Sequence, residues 1–98
     1  MSTVLTPRPA ATCMVLRDGA EGLEVLLLRR NPRSVFVPGA HVFPGGAVEA
    51  TDGSLHPLAP GAPSDEEASE RLGLDRGGLA FWVAAVRETF EEAGVLLA

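Results

Sequence analysis

A chain of 98 residues has room for one domain around one modest core and none for a second. Its 46% hydrophobic content argues against disorder, and its formal charge of −5 speaks against nucleic acid, whose phosphates need a basic stripe. No apolar run approaches the ~20 residues that cross a bilayer, and no basic start followed by an apolar stretch marks a signal peptide, so no membrane partner is expected.

Residues 1–9 (MSTVLTPRP) are expected to form a flexible N-terminal arm, and the folded domain to occupy 10–98. Ala10 to Leu16 is apolar and rich in β-branched and sulfur side chains, which reads as a strand. The lone Cys13 lies in it as a small buried hydrophobe; without a disulfide partner it fits a reducing, cytoplasmic setting. Asp18-Gly19 marks a turn, and the loop through Gly22 closes a hairpin onto a second, mostly buried strand from Leu23 to Arg30, which Asn31-Pro32 breaks. Ser34 to Gly46 (SVFVPGAHVFPGG) reads as short extended pieces joined by tight turns, and Ala50 to Pro63 as a loop. Ser64 and Glu67 have the S-x-x-E spacing of a capping box, so a short helix is expected to about Leu72, with Gly73 ending it. Leu79, Trp82, Val83, Val86, Phe90 and Ala93 recur at helical spacing as an apolar stripe, which predicts a helix over 79–93 with Gly94 as its stop.

On that last helix, at ~100° per residue, Glu88, Glu91 and Glu92 share a face at i, i+3 and i+4 spacing. An acidic face is ordinarily only solvated. Here, however, the acids crowd the C-terminal turns, where the helix dipole disfavours negative charge. Arg87, four residues before Glu91, balances one charge, and a divalent cation with a preference for hard oxygen ligands, Mg²⁺ or Mn²⁺, would balance the rest. Phe43-Pro44-Gly45-Gly46 is the second feature: paired glycines let backbone groups approach a phosphate or metal, although a plain tight turn has the same composition.

Together these features resemble the Nudix hydrolase family, whose signature runs G-x5-E-x7-R-E-U-x-E-E-x-G-U, with U aliphatic. Arg87-Glu88, Glu91-Glu92 and Gly94-Val95 match its second half, and Thr89 stands where an aliphatic is preferred. Counting from Gly46, the first glutamate falls on Asp52, a shorter carboxylate. Between Asp52 and Arg87 lie 34 residues rather than 7, which places an insertion at about 53–78. The stretch FVPGAHVFPGGAVEA is similar to the long-insertion subset that includes the peroxisomal coenzyme A diphosphatases. Leu26, Leu27, Arg30, Gly39 and Phe43 to Gly46 match a coenzyme A-associated pattern, L-L-T-x-R-[SA]-x3-R-x3-G-x3-F-P-G-G; Leu28, Asn31 and Val35 depart from it.

The resemblance implies an α/β (α+β) fold with a mixed β-sheet sandwiched between helices, and hydrolysis of a pyrophosphate bond in a nucleoside diphosphate linked to another moiety. Coenzyme A or acyl-CoA is the substrate lead; a non-catalytic nucleotide-binding module or an inactive fragment is the alternative. It also implies that Glu88, Glu91, Glu92 and the Gly45 carbonyl hold Mg²⁺ or Mn²⁺, with Arg87, Glu88 and Glu91 catalytic and Arg87 orienting a glutamate. Arg30, Arg33 and Gly46 would contact substrate, solvated strand-end charges being the other reading of the two arginines. His41 is either a substrate contact or a structural side chain beside the turn, and His56 a loop residue. The family fold takes more chain than these 98 residues, so an N-terminal fragment, incomplete at its C-terminus, is expected. Standing alone, it would leave a sheet edge that a homodimer would cover.

Overall fold

The computed structural model describes residues 5–29, 39–54 and 62–97. The mixed α/β class expected from the sequence is what these residues form: three antiparallel strand pairs and two helices. Strand β1 (Ala10–Thr12) pairs with β6 (Gly45–Ala47), with Ala10 opposite Ala47 and Thr12 opposite Gly45. Strands β2 (Leu16–Gly19) and β3 (Gly22–Val25) form a hairpin, and β4 (Leu28–Arg29) pairs with β5 (His41–Val42).

Two strand readings need correction. Ala10 to Leu16 is not one strand: β1 ends at Thr12, Cys13 N–H donates to the Pro44 carbonyl at 2.8 Å, and pairing resumes at Leu16. The chain changes partner there, from β6 to β3, and a single strand cannot serve two differently placed neighbours. The hairpin turn is Ala20-Glu21, inside the expected loop from Asp18 to Gly22, because Gly19 still pairs with Gly22, whose φ of 125° only glycine adopts readily. Leu23 to Arg29 is likewise split into β3 and β4, and it is not mostly buried: Leu23 is 70% exposed and all of β3 lies open. The hairpin's principal contacts run between its own two strands, so no layer covers its apolar side chains among the described residues.

A short 3₁₀ turn (Asp52–Ser54) leads toward α1 (Asp65–Leu72). Ser64 caps α1 as its spacing predicts: its hydroxyl accepts from Glu67 N–H at 3.1 Å, while the Glu67 carboxylate returns to the Ser64 hydroxyl rather than to its backbone. Gly73 stops α1 in the left-handed region, and Gly94 does the same for α2 (Gly78–Ala93). Helix α2 packs between α1, against which Gly78 comes so close that a Cβ would meet Ser69 N at 2.3 Å, and the β1–β6 pair. The buried core is small, formed by Ala68, Val83 and Ala84 with the polar Ser69, Thr89 and Asp52.

The apolar stripe of α2 ends one turn earlier than its spacing suggests. Phe90 is 52% exposed, and Thr89 is fully buried in its stead, its hydroxyl donating to the Ala85 carbonyl at 2.7 Å. At 100° per residue Phe90 points away from the Glu88 and Glu92 side that meets β6, and no described element covers that side.

Candidate active site

The site forms where β6 lies along the C-terminal half of α2, and three consecutive residues of β6 each meet one side chain of the helix. Gly45 N–H donates to Glu92 Oε1 at 3.0 Å. Gly46 faces Glu88 with no space between them, since a Cβ there would lie 2.6 Å from the Glu88 carboxyl carbon. Ala47 offers its carbonyl to Arg87 Nη2 at 3.0 Å. Glycine is required at 45 as well, because a side chain would strike the Ala11 carbonyl on β1 at 2.4 Å. The Pro-Gly-Gly sequence therefore serves close approach, as expected, but the groups approaching are protein strands and a carboxylate.

Arg87 is the hub. Its Nε and Nη2 hold the two oxygens of Asp52 at 2.8 and 3.1 Å; Nη1 reaches Glu88 Oε1 at 3.1 Å and both Glu91 oxygens at 3.1 and 3.2 Å. With Ala47 included, all the N–H groups of the guanidinium fork are engaged. Asp52 is completely buried, and besides Arg87 its Oδ2 accepts the Glu49 N–H at 2.8 Å, which closes the turn leading out of β6. The Arg87 hydrogen bonds, with that backbone donor, hold the Asp52 carboxyl below the usual range despite its burial, and Asp52 in turn drives the Arg87 pKa upward. The spacing alone, Gly46 plus six residues, gives Asp52 no site role.

Glu88 differs. Its side chain is largely buried, and burial pushes its pKa up more than Arg87 pulls it down, with Glu91 and Glu92 adding repulsion. One guanidinium thus faces Asp52, Glu88, Glu91 and, at 3.7 Å, Glu49, so negative charge is in excess. Arg87 Nη1 thus holds two glutamates, Glu88 and Glu91, by hydrogen bonds. Among the described residues no three acidic, histidine or cysteine side chains converge as a ready ligand set: Glu88 and Glu91 turn to Arg87, and Glu92 turns to Gly45. His41 is exposed on β5 and pairs opposite Arg29, outside this cluster. Arg30, Arg33 and His56 lie outside the described residues.

A strand–turn unit docked residue by residue on a helix that carries Arg-Glu and Glu-Glu pairs is the core of one known domain class, and the NUDIX domain model matches residues 6–98. The chain belongs to the NUDIX family. Among curated proteins it is similar to the acyl-coenzyme A diphosphatase NUDT19 of Gallus gallus, 43% identical over 76% of this chain and 25% of that protein, and to that of Homo sapiens, 38% identical over 80% and 27%. The chain thus spans about a quarter of the length of these relatives. The crystal structure of a NUDIX hydrolase from Alicyclobacillus acidocaldarius superimposes with a TM-score of 0.72 at 37% identity, covering 98% of this chain and 40% of that one. No helix among the described residues is long and apolar enough to cross a membrane.

Proposed function

We propose that the protein is a divalent-metal-dependent pyrophosphohydrolase acting on a nucleoside diphosphate derivative, with coenzyme A or an acyl-CoA as the substrate. The observation that carries this reading is the docking of Gly45, Gly46 and Ala47 onto Glu92, Glu88 and Arg87. The substrate class rests on the similarity to the NUDT19 diphosphatases and on the Phe43 to Gly46 match to the coenzyme A-associated pattern. Residues 53–78 are read as an insertion within the family signature.

The donor chemistry fits Mg²⁺ or Mn²⁺: clustered carboxylate oxygens with an unbalanced charge, one of them desolvated, suit a hard cation that keeps waters and substrate phosphates as its other ligands. Glu88, Glu91, Glu92 and the Gly45 carbonyl would hold it. Bound there, the cation supplies charge neutralisation at the pyrophosphate and a bound water of lowered pKa. Arg87 fixes the rotamers of Glu88 and Glu91, and Asp52 holds Arg87 so that its fork cannot follow a mobile glutamate. Gly46, without a side chain, lets the Glu88 carboxylate lie directly against the β6 backbone and is assigned as a backbone contact for the substrate. Attack of water on phosphorus breaks the bond to the bridging oxygen of the pyrophosphate and releases one proton, which one of these carboxylates or another residue nearby would take. Arg30 and Arg33 are assigned to the substrate phosphates, the lone Cys13 fits a reducing cytoplasm, and a homodimer is the assembly assigned to the strand edges that stay unpaired among the described residues.

The test is hydrolysis by the full-length protein of a pyrophosphate panel with Mg²⁺, beside Glu91→Gln and Glu92→Gln and with the metal chelated. Release of 3′,5′-ADP and a phosphopantetheine product from coenzyme A, lost on chelation and in both variants, is expected. Absence of any metal-dependent hydrolysis rejects the enzyme in favour of a nucleotide-binding module. Turnover of ADP-ribose or nucleotide sugars alone rejects the substrate, and unimpaired variants reject the site.

A further inference from the structure

Helix α2 lacks the means to finish its own N-terminus. Its N-cap is Gly77, which has no side chain to accept an amide, and its first turn carries no acidic residue to meet the helix dipole. The acceptors come from α1. Asp65 takes Leu79 N–H on Oδ1 at 3.0 Å and Gly77 N–H on Oδ2 at 3.2 Å, and the buried Ser69 hydroxyl takes Gly78 N–H at 2.8 Å. The two helices touch at this point, because Gly78 has no Cβ to separate it from the Ser69 backbone.

We infer that α1 is a positioning device for the acidic helix: Asp65 and Ser69 cap α2 and thereby set where Glu88, Glu91 and Glu92 stand along β6. Helix α2 is held at three places: at its start by Asp65 and Ser69, at Arg87 by Asp52, and near its end by Gly45 N–H on Glu92. Two of these holds come from the stretch between β6 and α2. That stretch therefore holds the helix at two separate points and is not a passive excursion. A helix is stiff along its axis, so a slip at the capped end moves the glutamates relative to Gly45 and Gly46, where the fit leaves no slack. The consequence for metal binding rests on the proposed function; the cap itself does not.

Two readouts on the full-length protein separate these parts. Amide exchange at Gly77, Gly78 and Leu79 reports the cap, and Mn²⁺ affinity with the hydrolytic rate against Mn²⁺ concentration reports the positioning. Asp65→Ala and Ser69→Ala are expected to speed exchange at their own amides by about 2- to 30-fold. They should weaken Mn²⁺ binding by up to the same factor, while saturating Mn²⁺ restores the rate. Glu66→Ala removes the same charge from the exposed first turn of α1 and should change neither readout. If Asp65→Ala fails to fold, Asp65→Asn, which keeps one acceptor oxygen, gives the same comparison. Unchanged exchange in these variants overturns the cap. Faster exchange with unaltered Mn²⁺ affinity overturns the positioning role. A wild type that binds no Mn²⁺ overturns the proposed function and the positioning role together, while the exchange measurement still decides the cap.

Discussion

Arg87 grips Asp52 with two hydrogen bonds, Nε to Oδ1 at 2.8 Å and Nη2 to Oδ2 at 3.1 Å, across 35 residues of sequence. Asp52 is wholly buried and the Arg87 side chain is 16% exposed, which makes this pair the anchor between the β6 turn and the acidic helix. Removing one partner of a buried pair leaves the other desolvated, at a cost of about 3–5 kcal/mol. Asp52→Ala should fall near 3 kcal/mol in urea unfolding, because Arg87 keeps Glu88 and Glu91. A loss under about 1 kcal/mol would show that the anchor is not structural.

The same pair fixes one acid limb of stability. The Asp52 pKa is lowered in the fold, so its contribution is present above the unfolded carboxylate value near ~3.9 and is lost as pH falls through the folded value. The stability gap between wild type and Asp52→Asn should therefore be full at neutral pH and close in strong acid. A gap independent of pH would contradict the assigned ionisation.

Glu88 has the opposite sign. Burial raises its pKa in the fold, so its ionisation opposes folding once pH rises above the unfolded value, and protonation on acidification relieves this. In metal-free protein at neutral pH, Glu88→Gln should stabilise by about 0.4–1 kcal/mol, from relief of the two like-charge pairs with Glu91 and Glu92. The gain should vanish below about pH 4, where the unfolded carboxylate is itself protonated. Thermal melts in a chelating buffer across pH would measure both.

Gly45 and Gly46 should fail differently on substitution. At Gly46 a methyl group would press on the Glu88 carboxylate, a movable side chain, so Gly46→Ala should keep the fold and lose about tenfold or more in rate. At Gly45 it would meet backbone of β1, so Gly45→Ala should lose about 1–3 kcal/mol of stability as well. Equal effects on rate and melting in both variants would refute the distinction.

Thr89→Val is expected to be nearly neutral, within about 1 kcal/mol by chemical denaturation. The buried hydroxyl only doubles a bond to the Ala85 carbonyl, which the helix backbone already satisfies, and valine has the same shape. A loss above about 2 kcal/mol would mean that the hydroxyl has a further partner.

What the sequence by itself determined was local. Ser64 with Glu67, and Gly73 and Gly94, set the start of α1 and the ends of both helices, because caps and stops act within one turn. That Glu88, Glu91 and Glu92 share one helix face follows from helical repeat alone and is legible in the sequence, whereas the turning of Glu92 to Gly45 N–H is not. Tertiary structure decided the rest, since each remaining feature depends on a surface that a distant segment brings. Asp52 became the ligand of Arg87 only when the β6 turn docked on α2, and Asp65 and Ser69 became caps only when α1 folded back on Gly78. The break of the first strand at Cys13, the open β2–β3 hairpin and the exposure of Phe90 have the same origin: apolar periodicity marks which side chains can be buried, and the neighbouring element decides whether they are.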